Sequence, residues 1–466
     1  MLEKLFHITE KGTDIRAELL AGLTTFMTMA YILMMNPGMF AELPGVSYDA
    51  VYIAAALSAA VGTILIGLLA NLPLAQASAM GSNAFFVYTV CLGFGLSYAN
   101  ALLLVFLDGI AFIVLTITGL REKIFAANPA SVRLAIPAGV GLFIAFIGLQ
   151  NAGIVVADPE TFVDLTSFNL MSGSAAWPDI MPILVTLAVL TAIAVMTYRG
   201  VRGTVLWEIL GGTALYYLLG ATVPGFYADF GAVPDLNPLA AFGAFGASAF
   251  GRIFTEGFDF SAYLAGHNPA ELALLISTTT LAFCLVDMFD AIGTLYGACA
   301  RGDLLTREGE VPNMKQAMLA DAVATAWGAV CGTSTVSSYV ESSAGIAEGG
   351  KTGLAAMATG GLFLLAMFFS PAASLVPGCA TSAALIYVGI LMMDCTKKID
   401  WQNTGESVPA FLTLAIMPMT YNISYGIAFG VISHVLLRVF SGRGREVHGG
   451  TWVIAGLFTV MFLVTN

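Results

Sequence analysis

Few side chains in this chain combine a reactive type with an unusual setting, and the first is Glu341. It stands in GTSTVSSYVESSAGIAEGG (residues 332–350), a run of Thr, Ser and Gly between two very apolar stretches. Such a run makes a poor lipid-facing helix and a good lining for a buried polar site. Its hydroxyls, with Ser338 and Tyr339 beside the acid, can add hydrogen bonds to a ligand that the carboxylate holds. A second pair, Asp287 and Asp290, lies in LVDMFDAIGTL. The spacing i, i+3 puts both on one helix face about a turn apart. Like charges that close in a low dielectric suit a site that takes up and releases a proton, or else Asp290 caps a neighbouring broken helix. A third candidate is Asn83 in LPLAQASAMGSNAFF, again in a stretch rich in small residues. Phe85, Phe86, Phe289 and Tyr339 flank these groups, and aromatic faces beside hydrogen-bonding side chains suit a flat heteroaromatic ligand. With 31 Phe in the chain, most such rings serve core and lipid contacts.

These candidates stand out because the rest of the sequence is so apolar. The chain has 466 residues, a mean hydropathy of +0.86 and 10% charged residues, against roughly 25% in soluble domains. Apolar runs recur throughout at the length of about 20 residues that crosses a hydrocarbon core. The reading is one polytopic membrane domain. A charge inside a span costs at least ~2.5 to 3.5 kcal/mol on insertion scales, so each intramembrane acid is a functional candidate. Among the others, Asp108 and Asp321 sit in ordinarily patterned helices and are expected to bond the broken segments, and Glu208 lies near a cytoplasmic end; for these three a structural role is expected. The first residues show no signal peptide pattern. The six cysteines have no C-x-x-C spacing and read as buried thiols rather than a disulfide framework or zinc site.

Hydropathy places fourteen spans. If the amino terminus is cytoplasmic, alternation puts all 18 Lys and Arg except Arg252 at cytoplasmic ends, the distribution that topology follows. Both termini are then cytoplasmic. Long outward connections at 151–179 and 224–270 are expected to hold hairpins or short helices, and the apolar tail 451–465 is left unassigned. The spans divide into two sevens, and an odd number in each half turns the halves upside down relative to each other. In each half the third span (74–90 and 333–346) is short, rich in small residues, and carries a polar side chain near its middle. Interrupted spans at matching positions of two halves point to a midplane transport site. An intramembrane protease is disfavoured, since the paired aspartates share one helix turn and no G-x-S-x-G or zinc motif appears in the spans. A channel is disfavoured because the acids form no repeated ring.

The stretches GTDIRAELLAGLTTFMTMAYILMMNP, SAMGSNAFFVYTV, GVGLFIAFIGLQNAGIVV, DMFDAIGTL, SYVESSAGIAEGGKTGL, FFSPAASLVPGCATSAALIYVGILM and ESVPAFLTLAIMPMTY resemble the AzgA-like purine permeases of the nucleobase–cation symporter 2 (nucleobase–ascorbate transporter) family. The match covers essentially the whole chain. It departs at SAMGSNAFF, where PGMGLNAFF is common: the usual Pro is Ser78 or Ala79 here, and the usual Leu is Ser82. The resemblance implies an all-α polytopic fold of 14 transmembrane segments in a 7+7 inverted repeat, with short strands before the half-helices of spans 3 and 10. A core (residues 16–120 and 272–370) would slide against a gate (134–222 and 380–439), with 223–271 as an extracytoplasmic connection. The implied activity is proton-coupled import of adenine, guanine or hypoxanthine across the cytoplasmic membrane, often by a homodimer. No cofactor, metal, catalytic residue or nucleic acid is implied. Glu341, Asn83, Asp287, Phe289, Phe86, Ser338 and Tyr339 are the expected purine contacts. Asp287, Asp290 and Glu341 are the expected proton-coupling groups. A carrier of the same fold for uracil, xanthine or an anion is the alternative, and three acids without nearby cations argue against an anion.

Overall fold

An apolar helix of about 20 residues satisfies its own backbone, the condition for crossing lipid, and ten helices meet it among the described residues. The structure, a computed structural model, describes residues 2–119, 129–171, 175–201, 203–223, 238–301, 304–306 and 310–464. The first half runs α1 (Ile15–Met29), α2 (Ile32–Phe40), α3 (Tyr48–Ala70), β1 (Gln76–Ser78), α4 (Met80–Ala84), α5 (Tyr98–Thr118), α6 (Ala130–Asn151), β2 (Val155–Asp158), β3 (Phe162–Leu165), α7 (Trp177–Tyr198) and α8 (Thr204–Thr222). The second runs α9 (Pro269–Arg301), α10 (Met314–Cys331), β4 (Val336–Ser338), α11 (Ser342–Ala347), α12 (Gly353–Ala366), α13 (Gly378–Met392), α14 (Thr404–Thr420), α15 (Ile423–Phe440) and α16 (Gly449–Val464).

Local chemistry sets many of the ends. Asp14 accepts from the Ala17 N–H at the start of α1, Ser97 and Asn100 form a capping box on α5, and Asn422 accepts from the Tyr425 N–H on α15. Packing is densest within two sets of helices. One contains α1, α3, α5, α10 and α12; the other contains α6, α7, α8, α13, α14 and α15. Without a hydrophobic drive between helices in lipid, close backbone approach does much of this work. A Cβ on Gly353 of α12 would overlap the carbonyl of Gly67 on α3, and one on Gly389 of α13 would overlap that of Gly141 on α6.

The two short stretches expected as the third span of each half depart from helix. Residues 74–93 contain strand β1, the five-residue α4 and a π-helical segment, Phe85–Gly93. Residues 333–346 contain β4, and helix begins only at Ser342, so Glu341 sits at a helix start rather than near mid-helix. The expected first span, 17–35, is longer and divided, with α1 and α2 meeting at Ala30 and Tyr31. The 151–179 connection holds the antiparallel β2–β3 hairpin. Residues 238–264 form short helices (Pro238–Ser248, Arg252–Thr255, Ser261–Leu264), and 224–237 lie outside the described residues. The tail is helical, and α16 packs on α15 and α9.

Candidate functional site

A strand buried among helices must find partners along both edges. β1 and β4 supply one edge to each other, antiparallel, in the register Gln76↔Ser338, Ala77↔Ser337 and Ser78↔Val336. The pairing extends past both ends, from the Ala79 N–H to the Thr335 carbonyl (2.9 Å) and from the Tyr339 N–H to the Ala75 carbonyl (3.0 Å). Outside the pair, one threonine per half does the same job. Thr63 of α3 accepts from the Gln76 N–H (2.9 Å) and donates to the Gln76 carbonyl (3.0 Å). Thr325 of α10 accepts from the Val336 N–H (3.2 Å) and donates to the Val336 carbonyl (3.0 Å). A single carboxylate then ties the strands across: Asp321 Oδ1 accepts from Gln76 Nε2 (3.1 Å) and from the Ser338 N–H (3.2 Å). Gln76 Nε2 also reaches Ser338 Oγ (3.3 Å). Asp321 thus bonds the broken segments as its sequence setting suggested, and the expected ligand contact Ser338 lies inside this clamp, buried.

Glu341 and Asp290 approach each other beyond the carboxyl end of β4, whereas Asp287 lies by Thr325 at its amino end. Glu341 precedes α11 and accepts from Tyr31 Oη at 2.8 Å, while Thr28 Oγ1 approaches the Glu341 carbonyl at 3.5 Å. Both donors flank the break between α1 and α2. Glu341, Asp290 and Tyr339 lie within electrostatic reach of one another. Asp287, a turn before Asp290 on α9, is buried and turned toward α10, where Thr325 Oγ1 lies 3.4 Å from its Oδ2. The Phe289 side chain lies outside the described residues.

Asn83 belongs to a different group. Its Oδ1 accepts from Ser78 Oγ (2.7 Å) and from Ser334 Oγ, and Thr333 Oγ1 donates to Ser78 Oγ (2.8 Å). All four are fully buried. Asn83 Nδ2, Ser82 Oγ and Thr335 Oγ1 are buried with no protein partner among the described residues, the condition of groups that a ligand or water satisfies. The antiparallel register puts this group at the opposite end of the small sheet from Glu341. Tyr339 bridges the ends, its hydroxyl donating to the Ser78 carbonyl (2.7 Å), which also accepts from Asn36 Nδ2 (3.0 Å). Phe86 is fully buried against Phe40 and Tyr98, and Phe85 meets Phe283 edge-on.

Sequence reasoning missed Thr63, Gln76, Thr325, Tyr31 and Asn36, whose polar groups pass for ordinary breaks in apolar runs. Glu18 was also missed, although it lies inside the first apolar run. It is fully buried and its carboxylate accepts from the Lys351, Thr352 and Ala355 N–H groups (2.8, 3.4 and 3.1 Å) at the start of α12, where a helix favours negative charge.

Beyond the end of α2, Glu42 connects to the 85–93 segment and to α6. Its Oε1 accepts from Tyr88 Oη (2.7 Å) and from Asn151 Nδ2 (3.4 Å) at the end of α6. Burial pushes the Glu42 carboxyl above its usual range, and the two hydrogen bonds only partly oppose that. Nearby, Thr89 donates to the carbonyl of Tyr421, whose ring meets Tyr88, Phe143 and Phe146 edge-on.

The model of a permease family matches residues 16–429. The chain is 38% identical to the adenine permease AdeP of Escherichia coli over 458 residues, covering 98% of this chain and 95% of that protein. It is 40% identical to the guanine/hypoxanthine permease PbuG of Bacillus subtilis over 471 residues, covering 99% of each. Among solved structures it resembles the transmembrane domain of the cyanobacterial bicarbonate transporter BicA, with a TM-score of 0.60 at 15% identity over 89% of this chain and 97% of that one. At that identity the likeness concerns the fold alone.

Proposed function

The chain belongs to the permease family and is a multi-pass membrane transporter rather than an enzyme, and from that premise we propose that it imports purine nucleobases with protons across the cytoplasmic membrane. The observation that carries this reading is the chemistry divided between the two ends of the β1–β4 sheet. Carboxylates of Glu341 and Asp290 stand at one end, and the unsatisfied Asn83 amide with the Ser82 and Thr335 hydroxyls at the other. The sheet between them is only three residue pairs, about 7 Å, long, so both groups flank a short platform on the scale of one bicyclic heterocycle. A carboxylate accepts ring or exocyclic N–H groups, and an amide can both donate to and accept from an adenine-like edge. In this reading Glu341 and Asn83 hold the base, Asp287 and Asp290 take part in proton coupling, and Tyr339 closes one side.

The architecture we propose is fourteen crossings in two inverted sevens. Besides the ten long apolar helices, α10, α14 and the two interrupted stretches are counted as crossings. The duplicated threonine device, Thr63 of α3 bonding β1 and Thr325 of α10 bonding β4, supports the repeat. The two helix sets supply a core and a gate, and alternating access then takes the form of one set sliding against the other, in a homodimer with both termini cytoplasmic. One inward proton is worth about 2.3 kcal/mol per 100 mV, enough to concentrate a neutral base several tens of fold.

Uptake of labelled adenine, guanine and hypoxanthine into proteoliposomes tests the reading. Accumulation is expected to collapse when the proton gradient is dissipated, and Glu341→Gln is expected to weaken apparent affinity by about 30-fold, an interaction with a charged partner being worth ~1.5 to 3 kcal/mol. Accumulation unaffected by the gradient would refute the coupling, and wild-type affinity in Glu341→Gln would refute the site.

A further inference from the structure

The first span also contributes to the site, and it does so with a phenol. Tyr31 is 1% exposed and sits where α1 stops and α2 begins. Its hydroxyl donates to Glu341 Oε1 at 2.8 Å, a hydrogen bond to a carboxylate across 310 residues of sequence. One turn earlier Thr28 approaches the Glu341 backbone carbonyl, and one turn later Asn36 holds the Ser78 carbonyl of β1. The divided helix therefore touches both interrupted stretches, and it reaches the Glu341 carboxylate through Tyr31.

We propose that Tyr31 is a positioning residue for purine binding, acting through Glu341. A glutamate side chain has three rotatable bonds, and a carboxylate that is to meet a base edge must be held in one of its rotamers before the base arrives. A phenol hydroxyl serves better than a cation here. It orients the carboxylate through one directional bond without neutralising a charge that a neutral N–H donor exploits. The inference rests on Glu341 contacting the base, as proposed above.

The test is a double-mutant cycle on the full chain in proteoliposomes, using Tyr31→Phe, Glu341→Gln and the double variant, with inhibition of labelled uptake by unlabelled adenine, guanine and hypoxanthine as the readout. Phe keeps the ring and removes only the hydroxyl. Tyr31→Phe is expected to weaken apparent affinity about tenfold for every base that the wild type takes, with maximal rate and unfolding temperature retained. In the Glu341→Gln background the same substitution is expected to change affinity less than twofold, the non-additivity of two residues acting as one unit. A merely structural role would weaken both backgrounds equally, and that result overturns the inference. So does wild-type affinity in Tyr31→Phe. If the wild type takes up none of the three bases, the purine reading fails and this inference with it.

Discussion

Removing the Asp321 carboxylate should loosen the two interrupted crossings from each other. In Asp321→Ala, two buried donors, Gln76 Nε2 and the Ser338 N–H, lose the oxygen that they share. Side-chain hydrogen bonds measured in a helical membrane protein average ~0.6 kcal/mol and reach ~1.7. Two of them give roughly 1 to 3.5 kcal/mol, and a carboxylate acceptor serving the buried register pair Gln76↔Ser338 belongs toward the upper end. The expected loss is about 3 kcal/mol for Asp321→Ala and about 1 kcal/mol for Asp321→Asn, whose amide oxygen can still accept from both donors. The chain carries its own reporter. Cys91, Cys299, Cys331 and Cys379 are buried free thiols, so a thiol-reactive dye added during heating in detergent marks unfolding. The order of midpoints should be wild type, then Asn, then Ala, with substrate transport falling in the same order. An Ala variant that unfolds with the wild type would refute the assignment of Asp321 as the tie between the strands.

Three other outcomes are expected. Gly353→Ala should destabilise by about 3 kcal/mol or more, since its Cβ meets the fixed carbonyl of Gly67 and α12 must withdraw from α3; the same dye assay reads it. Gly81→Ala drives a Cβ into Val140 Cγ1 on α6, a side chain that can be trimmed, so transport lost in Gly81→Ala should return in the double variant with Val140→Ala. For Glu42 the folded carboxyl titrates above its unfolded value because of burial. Folding therefore favours the protonated form, and that stability is present below the unfolded value, about 4.3, and lost as pH rises through the folded one. Glu42→Gln should raise the unfolding midpoint at pH 7 to 8 and make no difference near pH 4; an equal effect at both would refute the burial argument.

Much of this was legible in the sequence because membrane insertion writes itself in composition. The long apolar helices follow from hydropathy, and the two interrupted stretches announce themselves by Gly, Ala and Ser where Leu and Ile are expected. Glu341 and the Asp287–Asp290 pair stand out because a charge in a span is expensive. The partners were not legible. Tyr31 and Glu341, Gln76 and Asp321, and Glu18 and Lys351 are each hundreds of residues apart, and no local pattern tells a threonine that caps a strand from one that bonds its own helix. Asn83 shows the same limit: its type and setting were visible, while the serine network that holds its oxygen belongs half to the other end of the chain. The rings that pack on Phe86, Phe40 and Tyr98, were equally invisible among 31 Phe and 15 Tyr.

The pairing of β1 with β4 also has a consequence for biogenesis. Ribosomes deliver the amino-terminal half first, and residues 75–79 then have a strand edge with no strand beside it until residues 335–339 have been synthesised and inserted. Each unsatisfied backbone group in hydrocarbon costs several kcal/mol. The first half must therefore wait with this segment shielded, by water drawn into the nascent bundle, by insertion machinery, or by leaving it outside the bilayer. A chain arrested after α8 would lack the partner that closes the Gln76–Ser78 edge, so the quality-control fate of such fragments is written into three residue pairs.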